Sequence, residues 1–235
     1  MAKRNVNLPP RKECTREIIP VKIFDIQEIK NHFQENLQDI ENKFSFASEL
    51  LEAGKSKEAR DVWRTQVVFL ESAFDFYMHE IVKLGIISIF NSDWNCKTEK
   101  YKNLSFSMSY LERAMSDKEG DTWLKDWINE KYRSMTLMSH ENLKNVFNLL
   151  GLDLSAIADS VFYERDDNTP TGNKLKIFMD DLYSRRNQIA HQSDRRIEDA
   201  VKKEIDELEV KNYIEKIKKI VDAICTEIEK KSSSD

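Results

Sequence analysis

The chain is poor in everything that interrupts a helix. Among 235 residues there are five glycines and four prolines, and three of the prolines lie at or before Pro20. Proline removes a backbone donor and glycine costs conformational entropy, so their scarcity favours long helices. The three cysteines, Cys14, Cys96 and Cys225, are far apart, odd in number and form no CxxC pair. That excludes a disulfide framework and fits a reducing, cytoplasmic setting. No apolar run approaches the roughly 18 residues of a membrane-spanning helix. The opening MAKRNVNLPPRK is basic, but no apolar core follows it. Residues 1–20 therefore read as an irregular arm rather than a targeting signal.

Metal and cofactor signatures are missing too. His32, His79, His140 and His191 are scattered, with no HExxH and no paired His/Cys spacing. There is no GxGxxG and no P-loop. The GKS of residues 54–56 lacks the upstream glycine and strand of a phosphate cradle and reads as an interhelical turn. Neither a metal nor a cofactor is expected. Excess positive charge is also absent: the formal net charge is −5 and the sequence pI is about 5.6. A general DNA coat is excluded, whereas a nucleic-acid enzyme needs only a local basic site.

What is present is a soluble globular composition, 40% hydrophobic and 34% charged, arranged in helical stripes. Ile26, Ile29, Phe33, Leu37, Ile40, Phe44, Ala47 and Leu51 recur every three or four residues, which predicts one amphipathic helix of about eight turns. Gly54 stops it and Ser56 is placed to cap the next. That second helix carries Trp63, Val67, Leu70, Phe74, Tyr77, Ile81 and Leu84 in one line, widened by Val62, Phe69, Ala73 and Phe76, so it is central. A third long helix runs from about Asn173 past Arg186. A fourth, about 207–230, carries Val210, Ile214, Ile217, Val221, Ile224 and Ile228. Residues 91–170 hold shorter helical segments, and no alternating strand pattern appears. The expectation is an all-α antiparallel four-helix bundle over residues 21–231, with 91–170 as a helical insertion between the second and third helices and 232–235 as a frayed tail.

Most chemistry-bearing residues have ordinary readings. The aromatic residues of FDFYMHE, residues 74–80, are core. Asp75 and Glu80, carboxylates on so apolar a helix, call for partners, and an arginine across the bundle would suffice. The segment LYSRRNQIAHQSDR, residues 182–195, is different. On an ideal helix Leu175, Phe178, Met179, Leu182 and Ile189 share one arc, and Arg186 falls inside it, where a guanidinium needs a partner or a polar cleft. Asn187 and His191 share a face. Arg186 and His191 are five residues apart, roughly 140° around the axis. Two readings stand. Either Arg186 pairs with a carboxylate such as Asp75 or Glu80 while His191 caps the helix end, or the site is completed elsewhere, by a change of helix course or by a second copy of the helix.

Arg186-Asn187-x-x-x-His191 matches the R-(x)4–6-H signature of HEPN domains, with the polar residue that often follows the arginine. WRTQVVFLESAFDFYMHEI, MTLMSHENLKNVFNLLGL and LYSRRNQIAHQSDR resemble the RiboL-PSP type of that superfamily over most of residues 24–230. The resemblance implies a HEPN bundle that dimerises, so that two motifs meet in one cleft. In many members it implies a metal-independent endoribonuclease, frequently a toxin or an antiviral effector, with tRNA among its substrates and an antitoxin or defence protein as partner. Other members bind a nucleotide or protein without cutting. Carried over by position, Arg186 and His191 are the catalytic pair and Asn187 the accompanying polar residue. Asp75 and Glu80 are expected to support them. Arg185, Arg195 and Arg196 would form a basic patch for RNA backbone. RNA supplies its own nucleophile, the 2′-hydroxyl. A histidine can move protons and an arginine can hold the phosphate, giving a 2′,3′-cyclic phosphate and a 5′-hydroxyl.

Overall fold

A computed structural model of the chain describes residues 21–94, 98–116 and 120–232. The expected arm over 1–20 and the end of the expected tail, 233–235, lie outside them. Every named element is a helix: α1 Ile26–Glu41, α2 Lys43–Glu52, α3 Ser56–Phe90, α4 Glu99–Lys102, α5 Met108–Ser116, α6 Thr122–Tyr132, α7 His140–Leu150, α8 Leu154–Phe162, α9 Thr171–Gln192 and α10 Glu207–Ser232. The all-α expectation holds. Among the described residues no helix is long and apolar enough to cross a membrane.

The first stripe is divided rather than continuous. Asp25 caps α1 with a capping box shared with Glu28, and Ile29, Phe33, Leu37 and Ile40 are its buried positions. At Asn42 the register breaks. Its N–H is shared between Gln38 O and Ile40 O, and the Ser45 hydroxyl donates to Asn42 O at 2.8 Å. Gly54 turns the chain with φ +73°, a conformation that favours glycine. Lys55 rather than Ser56 occupies the next N-cap position.

Helix α3 is the axis of the molecule. It packs against α1, α2, α9 and α10 and also meets α6 and α7. Val67, Leu70, Phe74 and Ile81 are fully buried and Tyr77 nearly so, and burial of this size dominates the folding free energy. Gly85 carries the helix past Leu150. A Cβ there would sit 2.6 Å from Leu150 Cδ2, so any side chain at this position would push Leu150 aside.

The insertion is peripheral at its start and central at its end. Helix α5 has no buried residue, whereas α8 packs between α9 and α10. There Phe162 meets Phe178 with ring centroids 5.8 Å apart, and Phe178 meets Tyr213 at 6.0 Å. Segment 154–162 thus belongs to the bundle core and helps to fix α9.

Candidate functional site

Helix α9 presents Leu175, Phe178, Met179 and Leu182 to the core. One turn further the stripe reaches Arg185 and Arg186, and the two diverge. Arg185 is buried and Arg186 is part-exposed, its side chain 30% accessible. Projection on an ideal helix singles out Arg186 as the misplaced guanidinium; in the folded chain Arg185 lies deeper. The reason is the segment that follows. Ser193 and Asp194 both adopt left-handed φ, 53° and 57°; Ser193 N–H closes onto Gln188 O, the six-residue closure typical of helix ends, and Asp194 N–H reaches the same oxygen at 2.9 Å. The chain then folds over the Arg185 side of α9.

Asp194 is completely buried and both its oxygens are used. Arg64 Nε donates to Oδ2 at 2.6 Å, and Arg185 Nη1 donates to Oδ1 at 2.5 Å. Arg64 Nη2 donates to Lys203 O at 2.6 Å and Arg185 Nη2 to Glu204 O at 2.7 Å. Asp61 and Glu209 add charge at 3.1 and 3.2 Å; the Glu209 contact lacks hydrogen-bond alignment, since Arg185 Nε has no bonded partner. Burial raises the Glu209 carboxyl above its ordinary value, with Arg185 opposing the shift. The expectation that Arg185 contacts RNA is therefore corrected. Its guanidinium is committed to Asp194 and Glu204 and is closed to a ligand.

Arg186 has a sparser shell. Its Nε lies 2.9 Å from Glu71 Oε2, and its Nη1 donates to Asn187 Oδ1 at 2.8 Å. The Glu71 contact is charge–charge rather than an aligned hydrogen bond. No partner for Nη2 occurs among the described residues. Glu71 is 1% exposed and its Oε1 has no hydrogen-bond partner. Burial raises its carboxyl above the ordinary value; Arg186 pulls it back and Asp75, one turn along α3, adds to the rise.

The partner of Arg186 is thus Glu71, not Asp75 or Glu80. Asp75 accepts from Leu137 N–H at 2.6 Å, and His79 Nε2 sits 3.0 Å from Met135 O, so this stretch of α3 holds the 135–137 loop. Glu80 is buried and paired with Lys83 at 2.8 Å. Neither carboxylate supports the motif directly. The signal for Glu71, a carboxylate on a long and largely buried helix, is the same one that singles out Asp75 and Glu80; one helix alone does not say which of the three faces α9.

His191 lies in the last turn of α9, exposed and without a side-chain partner among the described residues. The helix runs unbroken to Gln192, so no change of course turns His191 toward Arg186. Arg195 and Arg196 are exposed. Arg195 Nη1 donates to Ala200 O at 2.5 Å, and Arg196 grips Asp199 with Nε at 3.1 Å and Nη2 at 2.5 Å. Both guanidiniums brace the 195–202 loop while remaining at the surface beside His191. Among the described residues no cluster of three His, Cys, Asp or Glu side chains could hold a metal ion.

Against known families, the model described as RiboL-PSP-HEPN matches residues 25–230. No curated protein and no solved structure matches the chain.

Proposed function

The chain belongs to the RiboL-PSP-HEPN family, and from that premise we propose that it is a metal-independent endoribonuclease acting as a homodimer. The observation that carries the reading is the open state of Arg186. Whereas Arg64 and Arg185 are buried and bound to Asp194, Arg186 keeps Nη2 without a partner among the described residues and 30% of its side chain accessible, on the same helix as an exposed histidine with no partner among those residues. Arg186 would hold the scissile phosphate through its unpaired edge and stabilise charge on the pentavalent transition state. His191 would move a proton at the 2′-hydroxyl or at the leaving 5′-oxygen. Asn187 holds Nη1, and the exposed Arg195 and Arg196 would meet the RNA backbone.

A regular α9 points Arg186 and His191 roughly 140° apart. Two copies of α9 across a two-fold axis would bring the arginine of one chain to the histidine of the other. A toxin or antiviral role, with a cognate inhibitor, fits an enzyme of this type.

The test is cleavage of tRNA and total RNA in EDTA by the wild type and His191→Ala. We expect 2′,3′-cyclic phosphate ends from the wild type only, with a loss of about 10²–10⁴-fold in the variant. Equal cleavage by both, or by neither, sinks the reading and favours a binding module.

A further inference from the structure

We propose that Glu71 is a positioning residue for Arg186, a buried carboxylate retained on α3 to aim the guanidinium into the cleft. The inference rests on the ribonuclease reading only for its catalytic readout.

Its position is one that packing alone would assign to an apolar side chain. Leu70 and Phe74 beside it are fully buried, and Glu71 itself is 1% exposed. A carboxylate placed there loses its hydration, and its Oε1 recovers no hydrogen bond, so it costs stability relative to a well-packed apolar residue. The compensation is one contact, from Oε2 to Arg186 Nε at 2.9 Å. Asp75 does not compensate, being itself acidic and committed to Leu137 N–H.

The contact has a directional consequence. Glu71 draws Nε toward α3 and Asn187 Oδ1 takes up Nη1, so two of the three nitrogens of a rigid planar group are placed, and Nη2 remains to meet a phosphate oxygen. Without Glu71, Arg186 would keep its charge but could rotate among solvated rotamers. Glu71 is too deep to touch RNA, so it acts through Arg186 alone.

The test is a double-mutant cycle read by binding, using an RNA oligonucleotide with 2′-O-methyl groups throughout, which cannot be cut. The cycle compares wild type, Glu71→Leu, Arg186→Ala and the double variant that carries both changes, with Glu71→Gln as the conservative control. We expect Glu71→Leu to weaken binding about tenfold and to add nothing once Arg186 is alanine. Its melting temperature should equal or exceed that of wild type. Glu71→Gln, which keeps the shape but loses the charge that draws Nε, should weaken binding as far as Glu71→Leu does. The proposal is overturned if wild type does not bind, if either Glu71 variant binds as wild type does, if the effect persists without Arg186, or if lost binding tracks a lost melting temperature. A holding cycle in a protein that cuts no RNA would leave Glu71 as the residue that positions Arg186 and reject the ribonuclease.

Discussion

Arg185 and Arg186 are adjacent in sequence and opposite in kind. The first is locked: two aligned bonds to Asp194 and Glu204, a shared carboxylate with Arg64, and no access to a ligand. The second is held at Nε by Glu71 and at Nη1 by Asn187, with Nη2 unpaired among the described residues. A satisfied buried network fixes geometry, whereas a partly satisfied one tends to persist where function requires it. The closed arginine sets the end of α9 and the loop beyond it; the open one is available for chemistry.

Each side of that comparison can be broken separately. The largest effect expected is on the closed side. Asp194→Ala leaves Arg64 and Arg185 buried without their shared anion, and should lower the unfolding free energy by about 3–5 kcal/mol, measurable by urea titration. Next, Arg186→Ala takes away the one contact of the buried Glu71, which can still take up a proton, so it should cost less stability than Asp194→Ala, about 1–3 kcal/mol, while lowering kcat by about 10²–10³-fold, the loss typical of one transition-state donor. Equal damage to stability and activity in both variants would erase the distinction.

A third test uses pH. Burial raises the Glu71 carboxyl, so the folded chain takes up that proton more readily than the unfolded chain. Stability is therefore lost as pH rises from the ordinary glutamate range through the folded value. Glu71→Gln removes that loss, so its stability advantage over wild type should be larger at about pH 7 than at about pH 4. The smallest effect belongs to the surface. Arg196, paired with Asp199 in the open, should contribute under about 1 kcal/mol to stability. Its alanine variant should bind single-stranded RNA with a salt slope shallower by about 0.7.

How far these features were legible in the sequence follows from where their partners lie. The stripes of α1, α3, α9 and α10 repeat within single helices, so periodicity alone revealed the bundle. The RNxxxH pattern is likewise local to α9. The break at Asn42 lies between two helices whose apolar residues keep the same spacing, so periodicity does not reveal it. The Arg64–Asp194–Arg185 network joins residues 130 and 9 positions apart, and its formation requires Asp194 to turn inward through left-handed backbone. Hence Arg185 looked like surface charge, and Arg186 looked deeper than it is. Glu71 went unseen because a buried carboxylate declares its partner only when the facing helix is in place.

The central claim is that Arg186 of one chain works with His191 of another. Its most direct test mixes two inactive proteins, Arg186→Ala and His191→Ala, after unfolding and refolding them together. In an isologous dimer each mixed pair contains one intact composite site and one doubly damaged site. Random pairing makes about half the dimers mixed, so about a quarter of wild-type RNA cleavage should return. No recovery, from a mixture shown to contain mixed dimers, would contradict a site shared between two chains.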